Sequence, residues 1–429
     1  MKRKSAEAHD IVIIGGGAGG LELAARLGRR LGRREGHRRV TLIDRSVFHL
    51  WKPSLHEVAA GSLDSHQEGL SYPLLSRRNH FRFVLGDLIG LDVEAREVTL
   101  AAICDDDGEV LVPRRTLEFQ TLVLATGSGS NLFDTPGAAE HAHLLEDVAD
   151  AEAFHRRLTT ALLAASVSEA RVLRIAIVGA GATGVELSTE LLEGHGELVA
   201  GLSGDQAFQM KVTIVEAAPR ILGGLPDKVA AKAARALAER GIDLMTDAEV
   251  QRVTAQGLET SQGPVPADLI VWAAGVKAAD LNAELGLETG KMNQFVTDDR
   301  LRTSAPHIYA LGDCAQTPGR GGKPVPARAQ AASQQAQYLS RALLDPGFDK
   351  PFVYRDRGSL VSLGDDQGVG SLMGGLGGSN FLIEGLLAKW AYMALHLDHH
   401  RSILGAPRTA LLALSRLLHR RVSGRLKLH

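Results

Sequence analysis

Ile11–Gly20 reads IVIIGGGAGG and Arg174–Glu186 reads RIAIVGAGATGVE, and these two stretches decide the fold. Each is a short apolar run of β-character that breaks into Gly-x-Gly-x-x-Gly and then into a helix-like sequence. The triplets are Gly15, Gly17 and Gly20 in the first copy and Gly179, Gly181 and Gly184 in the second. The first glycine of such a unit permits a tight strand-to-helix turn. The second lets the backbone approach a pyrophosphate, and the third allows close helix–strand packing. The phosphates then face the free N–H groups and positive dipole end of the helix. One triplet is a weak signal, because glycine turns are common. Two complete units predict two dinucleotides held side by side.

Each unit continues into a second β-run that ends in an acid suited to a pair of ribose hydroxyls: VTLID ends at Asp44 and KVTIVE at Glu216. Both acids lie beyond the usual ~20 residues after the glycines. The added length falls in Arg29–Arg39 and Gly194–Lys211, which read as loop or helix extensions.

A chain of 429 residues should hold two to three domains with substantial cores. The formal charge of −2 gives no global sign of nucleic-acid binding, and none is expected. Two cysteines, Cys104 and Cys314, make no disulfide framework and point to a reducing compartment. The basic start MKRKSAEAHD runs straight into the first nucleotide-binding strand, so it does not read as a signal peptide. No uninterrupted apolar window of about 18 residues predicts a transmembrane helix.

Residues 10–44 read as β-α-β, and 81–127 as short β-runs between turns. A helical stretch spans about Leu144–Ser168, and another, Ala230–Arg240, is ended by Gly241. LVLATG (Leu122–Gly127) and DLIVWAAG (Asp268–Gly275) are matching apolar strands that end in small-residue turns. IYALGDCA (Ile308–Ala315) ends in Gly-Asp, and a helix begins near Ala327. The predicted class is α/β, with two nested Rossmann-like dinucleotide-binding domains. The first occupies 1–145, is interrupted by the second at 146–294, and resumes at 295–345. Residues 346–429 form a C-terminal region with β-like runs at Phe352–Tyr354 and Ser359–Leu363, the glycine-rich GGLGGSN (Gly374–Asn380) and two apolar-basic helices.

LVLATG, DLIVWAAG and IYALGDCA, in this order, resemble the two-dinucleotide-binding-domain flavoprotein superfamily. HLWKPSLHEVAAGSL (His49–Leu63), PARAQAASQQA (Pro326–Ala336) and Phe381–His429 narrow the resemblance to type II NADH:quinone oxidoreductase, the single-subunit, non-proton-pumping dehydrogenase. The resemblance implies one non-covalent FAD per chain, with NADH as substrate and a membrane quinone as acceptor. It assigns FAD to the first glycine unit with Asp44, Lys52, Ala125, Thr126 and Gly127, and sets Asp313 on the ribityl hydroxyls. NADH goes to the second unit with Glu216 and Gly275. A carboxylate at Glu216 accepts from the adenosine ribose and repels a 2′-phosphate, which favours NADH, while Arg220 nearby softens that discrimination. Glu186 is implied to lie near the nicotinamide and flavin rings, although a first-turn helix acid is also favoured by the macrodipole alone. Ala329, Gln330 and Gln334 form the Ala-Gln-x-x-x-Gln motif that borders the quinone pocket, and Ser333 between the glutamines receives no acid–base role.

The cysteines separate this reading from its neighbours, since no closely spaced redox pair is available. Sixteen histidines show no metal-ligand spacing, and His399-His400 are expected at a solvated or lipid-facing edge. Phe381–Leu397 is apolar but carries Glu384, Lys389, Trp390 and Tyr392, and Thr409–Arg421 follows a Gly-Ala-Pro break. From Arg401 to the end there are seven arginines and lysines and no acid. That pattern suits an amphipathic helix lying on an anionic lipid surface. The resemblance adds a homodimer and attachment to the cytoplasmic face of the inner membrane. Removal of the chain after about Asp345 is expected to leave a soluble, flavin-retaining protein. The alternatives are an NADH-dependent reductase of a protein or sulfur substrate and a redox-sensing flavoprotein.

Overall fold

The computed structural model describes residues 9–203, 208–364, 368–373 and 380–422. MKRKSAEA, most of the GGLGGSN run and the end of the basic tail lie outside the described residues.

β1 (His9–Ile14) passes through the first glycine turn into α1 (Ala18–Arg39) and β2 (Val40–Asp44). The Arg29–Arg39 extension is helix, continuous except at Gly32, whose φ of 78° lies outside the helical range. α2 (Leu55–Ala60), β3 (Arg82–Leu85), β4 (Leu88–Asp92), β5 (Glu97–Leu100) and the ten-residue β6 (Arg115–Leu124) follow. The order β3-β2-β1-β6 is parallel throughout, and the first half of β6 also pairs antiparallel with β5, which carries β4. Val12 and Ile13 are both fully buried. A parallel strand covered on both faces reads as a continuous apolar run, which is what IVII provides.

α3 (Val148–Ser166) starts on Asp147, whose side chain accepts from Asp150 N. It leads to β7 (Val172–Val178), α4 (Ala182–Ser203), β8 (Gln209–Val215), α5 (Asp227–Glu239), β9 (Asp243–Met245) and β10 (Leu269–Trp272). These strands form a parallel sheet in the order β9-β8-β7-β10. α2 and α3 pack with this sheet around Phe154, which is fully buried. The chain then returns to the first sheet: β11 (Ile308–Ala310) pairs parallel with β6, Leu122 opposite Ile308 and Leu124 opposite Ala310. α6 (Ala329–Ala342) packs along α1.

Beyond it, β12 (Gly358–Ser362), β13 (Gly368–Met373) and β14 (Asn380–Glu384) form an antiparallel sheet, followed by α7 (Gly385–Leu404) and α8 (Ala406–Val422). Two expectations need correction here. Phe352–Tyr354 is not a strand: 351–357 has no ladder partner, and its apolar content serves to bury Phe352 against the Tyr338 ring at 5.7 Å. His399 and His400 are not at a solvated or lipid-facing edge. They are 6% and 3% exposed, because the face of α7 that carries them packs inward while Leu387 and Trp390 face out.

Phe154→Ala should cost about 3–5 kcal/mol through lost transfer energy and the cavity left behind. Leu163→Ala, half-exposed on the same helix, should stay within about 0.5 kcal/mol. Denaturant midpoints of the two variants check the difference.

Candidate active site

The two glycine turns are built alike. Gly15 and Gly179 sit at φ +97° and +101°, a left-handed conformation that a side chain would strain. A Cβ on Gly20 would fall 1.9 Å from Gly15 O, and one on Gly184 would fall 2.1 Å from Gly179 O. The third glycine therefore lets each helix close onto its strand. A Cβ on Gly17 or Gly181 would meet nothing within 4 Å. The middle glycine of each turn thus faces open space, as a cradle for a diphosphate requires.

The strand-end acids hold these loops. Asp44 Oδ2 accepts from Gly16 N at 2.6 Å and Oδ1 from Ser46 N at 2.8 Å. Glu216 Oε2 accepts from Ala180 N at 2.7 Å and Oε1 from Ala218 N at 2.9 Å. Burial raises the Asp44 carboxyl, opposed by these backbone donors. Arg220 turns to the carbonyls of Gly223 and Leu225 and to Asp227 at 3.4 Å, so its charge is engaged in the loop after Glu216.

The turns that follow β6 and β10 are stitched together. Gly129 N donates to Lys277 O at 2.8 Å, Lys277 N donates to Gly129 O at 3.0 Å, and Trp272 Nε1 donates to Asn131 O. This ladder brings Ala125-Thr126-Gly127 and Ala273-Ala274-Gly275 to one junction between the two sheets. Lys52 Nζ donates to Ser128 O at 2.6 Å, and Ser128 Oγ donates to Asp313 Oδ2 at 3.2 Å. Burial raises the Asp313 carboxyl, and Lys52 and Ser128 counter it. Gln335 was not singled out by the sequence, yet it fixes this corner: Oε1 accepts from Gly312 N and Nε2 donates to Thr317 Oγ1. Cys314, buried beside Asp313, donates to the Leu311 and Leu124 carbonyls, and burial pushes its thiol up. Cys104 is exposed, and both thiols are free.

Glu186 lies near the start of α4 and is 5% exposed. Its Oε1 accepts from Ser362 N of β12 at 3.0 Å, and Oε2 is 3.7 Å from His56 Nδ1 of α2. Burial pushes the Glu186 carboxyl up to about 7, against the pull of His56 and Ser362. Burial and the Glu186 carboxylate also raise the Tyr392 phenol of α7 well above its usual value. His56, Ser362 and Tyr392 were missed by sequence reading. Only the His56-Glu57 pair inside the quoted HLWKPSLHEVAAGSL hinted at them.

Gln330 and Gln334 do not project as free amides. Gln330 donates to Gly358 O and accepts from Arg357 N, while Gln334 donates to Arg355 O and accepts from Arg355 N. They fasten the extended segment before β12 onto α6. Ser333 Oγ donates to Glu22. Among the described residues no cluster of His, Cys, Asp or Glu is placed to hold a metal.

Two glycine turns that meet at one junction suit a fold that binds two dinucleotides, and the class follows from its relatives. The pyridine nucleotide-disulphide oxidoreductase family profile matches residues 9–336. A type II NADH:quinone oxidoreductase of Haemophilus influenzae is 37% identical over 98% of this chain and 100% of its own length. A type II NADH:quinone oxidoreductase of Mycobacterium tuberculosis is 28% identical over 91% of this chain and 83% of its own. Among solved structures, NDH2 of Plasmodium falciparum in complex with NADH superposes with a TM-score of 0.79 at 16% identity, over 97% of this chain and 99% of that one. The chain belongs to the pyridine nucleotide-disulphide oxidoreductase family and, within it, to the type II NADH:quinone oxidoreductases.

Gly181→Val places its side chain in open space. It should keep the fold while weakening NADH binding at least about tenfold, or roughly 1.4 kcal/mol. Gly184→Val drives Cβ into Gly179 O and should lower the thermal midpoint sharply. Titration calorimetry and thermal unfolding separate the two effects.

Proposed function

We propose that this chain oxidises NADH and reduces a membrane quinone through one non-covalently bound FAD, without pumping protons. The observation that carries the reading is the pair of glycine cradles joined at the Gly129–Lys277 ladder, with each strand-end acid at its loop. The fit to FAD rests on the open face at Gly17 and on a donor and acceptor set of Asp44, Lys52 and Asp313 around the first cradle. When bound there, FAD supplies hydride acceptance and two-electron delivery to the quinone. The second cradle, with Glu216 and Gly275, takes NADH. In this reading the nicotinamide would lie against the first site, and positioning would contribute to the rate.

Glu186 is the proton-handling group of this reading. Its carboxyl, about 7, lies near working pH, where a general acid is most effective. Gln330 and Gln334 act as positioning residues, since their amides hold the 355–358 segment that leads to Ser362 and so to Glu186. If Glu186 donates a proton, turnover falls as pH rises through about 7, and Glu186→Gln flattens that limb. A stability readout gives the independent sign. The folded carboxyl lies above its ordinary value, so the folded state loses stability relative to the unfolded one as pH climbs from about 4.5 to about 7. Glu186→Gln should therefore match the parent near pH 4 and exceed it near pH 8 by up to about 3 kcal/mol.

The protein docks on the bilayer from one side. No helix among the described residues is long and apolar enough to cross a membrane. Leu411, Leu414 and Leu418 of α8 are 67%, 52% and 57% exposed, spaced to share one face. A cut after Asp345 would also remove the segment clamped by Gln330 and Gln334 and the Ser362 donor to Glu186. The cleaner test leaves the chain whole. Replacing Leu411, Leu414 and Leu418 by Gln should abolish sedimentation with vesicles and turnover of membrane-embedded quinone, while NADH oxidation with a water-soluble quinone analogue persists. Loss of both activities, or retention of vesicle binding, would contradict the docking assignment. A second copy covering these leucines would instead appear as a change in mass by light scattering.

A further inference from the structure

A cleft runs between α1, α6 and α7 and takes in Ser333 and Gln334 on α6. Its narrow end, about 320 Å³, is lined by Arg26, Arg29, Arg30, Gln337, Ser340 and Arg341. Arg26, Arg29 and Gln337 also line a wider space of about 730 Å³ that reaches Ala391, Ala394 and Leu395 on α7. We infer that this cleft binds the phosphate of an anionic lipid headgroup, an inference that rests on the docking reading above and gives it a specific site.

Two of the guanidiniums are oriented by neutral acceptors. Arg29 donates to Asn79 Oδ1 at 2.6 Å and to Ser402 O at 2.6 Å, and Arg30 donates to Ser340 O at 2.7 Å. The acids that line the joined space are already matched. Glu22 pairs with Arg26 at 2.7 Å, and Asp398 lies 2.6 Å from Arg401 and 3.7 Å from Arg357. A structural purpose accounts for part of the charge, because α6 and α7 both end here and cations suit helix C-termini. The positive charge exceeds what that purpose needs. Six guanidiniums face two carboxylates and two helix ends worth roughly half a charge each, which leaves an excess of about three positive charges. Burial and the neighbouring Arg26 push Arg29 below its usual value, and Glu22 only partly counters them.

The apolar wall chooses the source of the phosphate. Ala391, Ala394 and Leu395 continue on α7 into Trp390 and Leu387, which are 64% and 75% exposed. Residues three, four and seven apart on a helix share a face. A lipid whose phosphate meets the arginines can lay its acyl chains along this face. Free phosphate uses only the charges.

The test is sedimentation of the full-length protein with phosphatidylcholine vesicles, with and without phosphatidylglycerol. Arg341→Gln is the main variant. It leaves the Arg29 and Arg30 hydrogen bonds in place, and Arg235→Gln on α5 serves as a charge-matched control. Arg341→Gln should weaken binding to the anionic vesicles about fivefold and Arg30→Gln/Arg341→Gln about twentyfold or more. Binding to pure phosphatidylcholine and turnover of a soluble quinone should not change. If Arg341→Gln and the double variant bind as Arg235→Gln does, the cleft assignment is wrong even though docking through α8 stands. If the parent binds neither vesicle, the docking reading falls with it. If inorganic phosphate titrates Trp390 fluorescence in the parent but not in Arg341→Gln, while vesicle binding is the same in both, the site takes free phosphate and the lipid assignment is overturned.

Discussion

The close approach of a helix to the strand before it, possible only where two glycines meet, is the constraint on which the rest depends. Gly20 against Gly15 O and Gly184 against Gly179 O bring backbone to backbone at distances that no side chain allows. α1 and α4 start directly after Gly17 and Gly181. Because the contact occurs twice, the chain has two helix starts suited to an anion. Because β11 returns to pair with β6, the second sheet is carried as an excursion from the first. The Gly129–Lys277 ladder then brings the two strand-end turns together.

The C-terminal region completes the core rather than hanging from it. His49 Nδ1 lies 3.0 Å from Gly16 O and its Nε2 lies 3.0 Å from His399 Nε2, while the Trp51 and His399 rings are 4.0 Å apart between centroids. Burial pushes His49 down to about 4, so it is neutral at working pH and bridges as a neutral ring. α7 is thereby fixed to the first glycine loop. β12 reaches the second unit through Ser362 and Glu186. One segment of chain therefore touches both halves of the site, and its outer face carries the exposed leucines and Trp390.

What was legible in the sequence was what local sterics dictate. Glycine spacing reports backbone approach, and a β-run ending in Asp44 or Glu216 reports an acid at a sheet edge. Tertiary partners were not legible. His399 meets His49 across 350 positions, and a histidine pair near a basic tail carries no sign of that partner, so from sequence it reads as peripheral. Phe352–Tyr354 has strand-like composition because it buries an aromatic ring, and 351–357 forms no ladder. Gln330 and Gln334 were visible as a motif, but their two-way bonds to the 355–358 backbone depend on a segment whose path the sequence does not reveal. The arginines of α1 read as a helix extension, and only the meeting of α1, α6 and α7 gathers them into a cleft.

The central claim is that electrons from NADH pass through a flavin in the first cradle to a quinone. Anaerobic stopped-flow on the purified protein tests it most directly. The account predicts that NADH bleaches the flavin absorbance rapidly and NADPH slowly, and that a quinone added afterwards restores it in equal measure. A flavin that stays oxidised in excess NADH, or a reduced flavin that no quinone reoxidises, would contradict it.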